Sequence, residues 1–599
     1  MWNRFNQSLI AIVLVLSATP GSVHAAAATG SADPSKVIRL AWEAADDGFD
    51  LMRTSSHYSN WVGEAIFERL LTYDYLARPA KLVPQTAEAM PQVSADGKTY
   101  TFQIKKGIYF TPDPAFKGAR RELTAEDYVY TLKRTLDPQN RSQIASFLEG
   151  KLVGLDEQVA KAKVSGHFDY DAPVAGLRAI DRYTLRIELK QVDYNFLYLM
   201  AYTGFGAVAR EVTEAYGLQS GAHPVGTGPY ILQQYVPRSK IVLTANPDYR
   251  GFIWDFKSSG DAGDAKLIAE MQGKNMPQIG RVEISIIDED QPRWLGFQDK
   301  QHDLVMLPQS VAPNVIDVDK LKPEFTQQNI GLSRFVEPEI TYTLFNFNDP
   351  LTGGFSNEKI ALRRAIAMAY SVPEEISKLR LGQAVKAEMV IPPGIVGHDP
   401  SYRSSITYDI VLANKLLDHF GYKRGADGFR NLPDGKPLVL KITTEATSSS
   451  KIVSEVWKRG LDQIGIHAEH LVSNFADNLK AAQECKLMMW GGAWLPDYPD
   501  GENFLQLLYG PNAHQGNHGC YNSPAFNVLY VKAKTLPPGP ERNALYLQMN
   551  RQMEADTAWS VHISRIRNWL TRPWVKGFKK HPVMHVDFEY LDIDKNLLK

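Results

Sequence analysis

Two cysteines, Cys485 and Cys520, are all that 599 residues contain. That scarcity, with an even count, agrees with an oxidising compartment. If the two pair, they close a loop of about 35 residues, worth on the order of 3 kcal/mol in the chain-entropy model. The stretch between them reads as mostly loop in need of fixing, so pairing is expected. Charge of one sign is lacking too: 66 Lys+Arg balance 67 Asp+Glu, a net charge of −1. Such a balance supplies no basic field for a polyphosphate partner and excludes nucleic acid. Bias is lacking as well, since 11% aromatics with 43 Gly and 35 Pro exclude a disordered, collagen-like or low-complexity chain. No internal repeat occurs, and beyond residue 25 no apolar run is long enough to span a bilayer.

What is present begins with export. Arg4 precedes the apolar run Leu9–Leu16, and small residues lead to Val23-His24-Ala25, the pattern of a secretory signal over 1–25 cleaved before Ala26. The run is about half the ~20 residues a membrane span needs, and no cysteine follows it to carry a lipid. A soluble, exported product is expected. Its length predicts about three to five compact units at roughly 100–200 residues each.

Strand-like and helix-like patterns alternate along the chain, which argues for α/β lobes. Thr124-Ala125-Glu126-Asp127 is a capping signal for a helix with Tyr128, Leu132 and Leu136 on one face. Asp409 caps a second helix that runs to Gly421. Ser450 is read as the cap of a third, carrying Val453, Val456, Trp457, Leu461 and Ile464 and stopped by Gly465. That third helix lies between the apolar runs Leu438–Ile442 and one starting at Ile466, predicting a β-α-β unit.

Signals for catalysis are missing: there is no G-x-S-x-G and no H-E-x-x-H. Ser448-Ser449-Ser450-Lys451 matches S-x-x-K without its S-D-N and K-T-G partners and reads as a helix cap. Gly204-Phe205-Gly206-Ala207-Val208-Ala209 imitates a dinucleotide fingerprint but lacks the acidic residue expected about 20 positions on. His514, His518 and Cys520 form the most metal-like cluster. Gly516 and Gly519 argue against the helix such a site would use, leaving a solvent loop. No cofactor, metal or catalytic residue is expected.

His223-Pro224-Val225-Gly226-Thr227-Gly228-Pro229-Tyr230 followed by Asn246-Pro247-Asp248-Tyr249 is a more specific pairing. Further landmarks stand around it: Ile66–Asp74, Leu82–Glu88, Asp96–Phe102, Leu123–Val129, Arg363–Ala369 and Ile391-Pro392-Pro393. In this order they closely resemble family 5 extracellular solute-binding proteins, the peptide- and nickel-binding receptors of ABC importers, over roughly residues 36–590. The resemblance implies an α/β, two-lobed periplasmic-binding-protein fold with mixed sheets, a two-strand hinge and an extra subdomain inserted in the first lobe. The first lobe is placed at about 36–335 plus 568–599, the insertion at about 76–184 and the second lobe at 336–567. It also implies a monomeric periplasmic receptor that closes on a peptide and presents it to permease subunits in the inner membrane. A ligand touching both lobes only when they are shut shifts the population toward closure.

The resemblance locates the cleft at Trp494-Leu495-Pro496-Asp497-Tyr498-Pro499-Asp500, with Asp497 taking the ligand's α-ammonium group. A carboxylate among aromatics and prolines is partly dehydrated, so an arriving cation makes a charge-assisted bond. Trp494 adds a wall or cation–π face. Met488–Ala493 is the expected second-lobe strand, with Trp490 beside the glycines Gly491 and Gly492 that permit close backbone approach. On the first-lobe side the expected contact is Ser55-Ser56-His57-Tyr58, Tyr58 in particular. Dipeptide-binding relatives carry an Arg after the strand of the β-α-β unit, where this chain has Thr443-Thr444-Glu445-Ala446-Thr447. The dipeptide clamp of those relatives is therefore missing from this segment, and longer peptides, or a ligand without a free carboxylate, fit better. The alternatives are a non-peptide solute (an opine, a glycoside, heme or chelated nickel) and, more remotely, an exported hydrolase.

Overall fold

The computed structural model describes residues 32–54 and 56–598. The signal expected at 1–25 and the candidate Ser55 lie outside the described residues. Among the described residues no helix is long and apolar enough to cross a membrane.

Two mixed sheets organise the chain. The larger has the order Gly331–Val336, Ile563–Thr571, Leu304–Met306, Asp33–Trp42, Ile279–Ile286, Lys240–Ala245, Tyr230–Val236, and Ala384–Lys386 pairs with the start of Ile563–Thr571. The smaller has the order His467–Ser473, Val439–Glu445, Met489–Trp494, Ile340–Phe345, Trp559–Val561. The chain passes between them twice, from Val336 to Ile340 and from Val561 to Ile563. Those two passages lie side by side. Glu337 N–H donates to Arg565 O at 2.8 Å, and His562 N–H donates to Thr341 O at 2.9 Å. Arg565 forks onto Glu339 and Arg567 pairs with Glu337. This is a two-lobed fold with a two-strand hinge, as the motifs implied.

A four-stranded antiparallel sheet, in the order Gln92–Val93, Thr99–Gln103, Thr184–Glu188, Leu177–Ala179, forms the extra element of the first lobe. The helix Ala125–Leu136 covers it, held at its start by a reciprocal cap in which Thr124 N–H donates to Asp127 Oδ2 at 2.7 Å. Its Tyr100, Phe102 and Tyr128 join the same apolar core as Ile38 and Ile284 of the large sheet.

The diagnostic turn is a packing device. A Cβ at Gly226 would lie 2.0 Å from Ile66 O, and one at Gly228 would lie 2.5 Å from Ala65 O, so only glycine lets the turn lie against the end of the helix His57–Ile66. Asn246 joins the two halves of the motif. Its side-chain amide donates to Gly228 O at 2.9 Å and its backbone N–H to Pro229 O at 2.8 Å.

In the second lobe Val439–Glu445, Ser448–Ile464 and His467–Ser473 form the expected β-α-β unit with parallel strands. Its cap differs from expectation. Thr447 Oγ1, not Ser450, accepts the helix-starting bond, from Ser450 N–H at 3.0 Å. Thr447 is the last residue with extended backbone, which puts Ser450 within the first turn. Asp409 caps Ile410–His419 as read from the sequence.

Candidate functional site

The strands Val439–Glu445 and Met489–Trp494 run parallel yet pair only at Ile442–Met489 and Thr443–Trp490. Beyond those pairs they part. The chain leaves the first strand toward His467–Ser473 on one side, and the second toward Trp559–Val561 on the other. Open α/β sheets bind ligands at such a switch point, outside the carboxyl ends of the strands. Here the gap is a cavity of about 250 Å³ whose walls include Thr341, Glu445, Trp457, Phe475 and Gly491. Met489–Trp494 is paired along its full length with Ile340–Phe345 on its other edge. The edge from Gly491 to Trp494 that faces the gap therefore has no strand partner among the described residues. A Cβ at Gly491 would meet nothing closer than 3.9 Å, so any side chain there would enter the cavity.

At the end of this strand lies the aromatic-acidic loop. Asn503, buried at the start of the short helix Glu502–Leu505, holds it in shape. Its Oδ1 accepts from both Trp494 Nε1 and Asp497 N at 3.0 Å, and its Nδ2 donates to Asp497 Oδ2 at 2.8 Å. No cation reaches Asp497 among the described residues. Burial pushes its carboxyl up to about 6, against the smaller downward pull of the Asn503 bond. Its charge is felt across the cleft by Tyr73 and Tyr202 of the first lobe, whose phenols are driven up mainly by burial.

The second acid of the same loop is spent on the fold. Asp500 is buried, paired with Arg542 and accepting from Tyr546 Oη at 2.6 Å. Between the two acids Tyr498 inserts into the first-lobe core and lies parallel to Tyr198 at 6.3 Å. Asn195 Nδ2 reaches Glu502 Oε2 at 3.5 Å. The lobes thus meet directly beside Asp497.

Of the residues singled out in the sequence, Asp497 and Trp494 meet at Asn503, and Gly491 and Gly492 line the cavity. Trp490 lies off it. Its indole is buried in the second-lobe core and donates to Glu445 Oε1 at 3.0 Å, because strand alternation turns it to the opposite face from Gly491. Tyr58 also lies off it, tilted against Trp42 at 5.2 Å, with burial the main cause of its raised phenol pKa and Glu43 beside it.

The segment Thr443–Thr447 carries no cation, as read from the sequence. Arg380 and Arg565 reach the cavity from a distant helical turn and from the hinge. Both are already matched, Arg380 with Glu375 at 3.0 Å and Arg565 with Glu339. No local pattern in the sequence signals them. Asn503, three residues past Asp500, carries no signal of its own in the sequence.

Cys485 and Cys520 are joined in a disulfide, as expected. The segment they enclose is more structured than the sequence suggested, since it carries Met489–Trp494, the Asp497 loop and Glu502–Leu505. His514 lies against this bridge, its Nδ1 3.0 Å from Gln483 O.

Fold, switch-point cavity and enclosed acid together define a two-lobed solute-binding protein. The model of the bacterial extracellular solute-binding proteins, family 5 (middle region), matches residues 81–516, and the chain belongs to this family. It is similar to heme-binding protein A of Haemophilus influenzae, at 24% identity over 89% of this chain and 88% of that one. It is similar also to di/tripeptide-binding protein 2 of Pseudomonas aeruginosa, at 24% identity over 95% and 97%. Among solved structures, the ABC transporter-associated periplasmic binding protein DppA of Helicobacter pylori, in complex with the peptide STSA, superposes with a TM-score of 0.73. That likeness has 21% sequence identity and covers 93% of this chain and 98% of that one.

Proposed function

We propose that this protein is the periplasmic receptor of an ABC importer and captures oligopeptides by their free amino end. The observation that carries the proposal is the uncompensated carboxyl of Asp497, enclosed at the end of the unpaired edge Gly491–Trp494. An extended peptide can add to that edge through main-chain hydrogen bonds, which are indifferent to side chains. Its ammonium group then reaches Asp497 and restores the charge balance that burial has upset. The relatives named for di- and tripeptides, and the DppA complex with STSA, support a peptide as the class of ligand.

In this reading the receptor is exported by its amino-terminal signal, acts as a monomer, makes and breaks no covalent bond, and hands its cargo to a membrane permease. Native mass spectrometry of the protein purified without refolding tests it. A ladder of co-purified peptides is expected. A single non-peptide molecule such as a porphyrin would overturn the peptide reading. Robust hydrolysis of peptides or esters, abolished by a substitution in the cleft, would overturn the receptor reading.

A further inference from the structure

We infer that the switch-point cavity also holds one basic side chain of the peptide, Lys or Arg, against Glu445. The inference rests on the peptide reading and adds a sequence preference to it.

The geometry is set by the parting strands. Glu445 is the last residue of its strand, two positions past Thr443, where pairing with Met489–Trp494 ends. A peptide strand bonded to the Gly491 edge would take the place that Met489–Trp494 has vacated beside Thr444 and Glu445. Neighbouring strands lie about 4.8 Å apart, so its side chains would fall beside theirs.

Glu445 is fixed and half satisfied. Its Oε1 accepts from Trp490 Nε1 at 3.0 Å and from Asn478 Nδ2 at 2.9 Å, while Oε2 has no partner among the described residues. Every other carboxylate at this cavity is taken. Glu375 accepts from Arg380 at 3.0 Å and from Tyr370 Oη at 3.0 Å, and Glu339, behind Arg565, is forked by it. Glu445 is thus the one acid lining the cavity with an oxygen to offer among the described residues. Phe475, largely exposed, stands on the same side with its ring 5.9 Å from that of Trp490, and offers a face to a guanidinium or ammonium group.

Alternation makes the preference positional. Thr443, Glu445 and Trp490 share one face of the sheet, whereas Trp457 covers the other. Successive side chains of an added strand point to opposite faces, so the residue turned to the Phe475 side meets Glu445 and its immediate neighbours do not.

Calorimetry with free-amine tetra-alanine peptides, carrying a single Lys or a single Glu at each position in turn, tests the inference. One Lys position is expected to bind at least about tenfold more tightly than tetra-alanine, and Glu at that position more weakly. In Glu445→Gln the ratio between the Lys peptide and tetra-alanine is expected to collapse toward one, and in Glu445→Arg the preference is expected to pass to Glu. Equal affinities for the Lys and alanine peptides in the wild-type protein, which needs no variant to fold, sink the inference and leave the peptide reading standing. A Lys advantage that survives Glu445→Gln also sinks it. Failure of every peptide to bind removes the peptide reading, and this inference with it.

Discussion

Asn503 grips Asp497 at two points, accepting from its backbone N–H at 3.0 Å and donating to its carboxylate at 2.8 Å. One neutral side chain thereby holds a half-buried acid in place without neutralising it. That combination, a fixed orientation with no counter-charge, leaves the acid open to a cation from outside.

Asp497→Asn is expected to weaken binding of free-amine peptides by at least about tenfold, or 1.4 kcal/mol, in isothermal calorimetry. N-acetylated peptides should bind the wild-type protein worse than their free-amine counterparts. Equal binding of the two would remove Asp497 as the anchor.

The raised carboxyl gives that binding a pH profile. Only the ionised form attracts ammonium, so wild-type affinity should fall as pH drops below about 6 and should fall again above about 8, where the peptide amine loses its proton. Asp497→Asn should lose the acid limb. Asn503→Ala removes the bond that lowers this pKa, so its acid limb should move to higher pH.

Stability of the empty protein should move the opposite way. The folded carboxyl titrates at about 6 and the unfolded one near 3.8. Ionisation therefore penalises the fold fully above pH 6, and the penalty disappears as pH falls toward the unfolded value. Calorimetric melting should show Asp497→Asn more stable than wild type at pH 8, with the gap closing by about pH 4.

Gly491→Leu should abolish peptide binding while leaving the melting temperature nearly unchanged. Its backbone needs no glycine conformation, and the new side chain has only the cavity to enter. Retained affinity in calorimetry would place the peptide elsewhere.

Asp500→Ala should instead destabilise the protein, by about 3–5 kcal/mol in urea unfolding, because it strands the buried guanidinium of Arg542. Binding by the remaining folded molecules should persist. Equal stability with lost binding would reverse the roles assigned to the two acids.

Much of the architecture is written locally. The caps at Thr124 and Asp409 and the β-α-β unit are encoded in contiguous residues, because hydrogen bonds within a helix turn depend on near neighbours. The Trp494–Asp500 segment stands out for the same reason, as an unusual density of aromatic rings, prolines and acids. Which acid stays unpaired was not local. Asp497 and Asp500 are three residues apart, and only the arrival of Arg542 and Tyr546 from a later helix separates their tasks. Trp490 and Tyr58 show the same limit, because the direction of a side chain depends on strand register and on what packs above it.

By itself, the sequence determined the class of fold, the helix caps and the position of the acidic loop, since each follows from interactions between residues close along the chain. Tertiary structure alone decided where two parallel strands part, which carboxylates keep a free oxygen, and that the hinge supplies Arg565 to the cavity wall. Those facts depend on groups from 33 to 226 residues apart along the chain meeting in space.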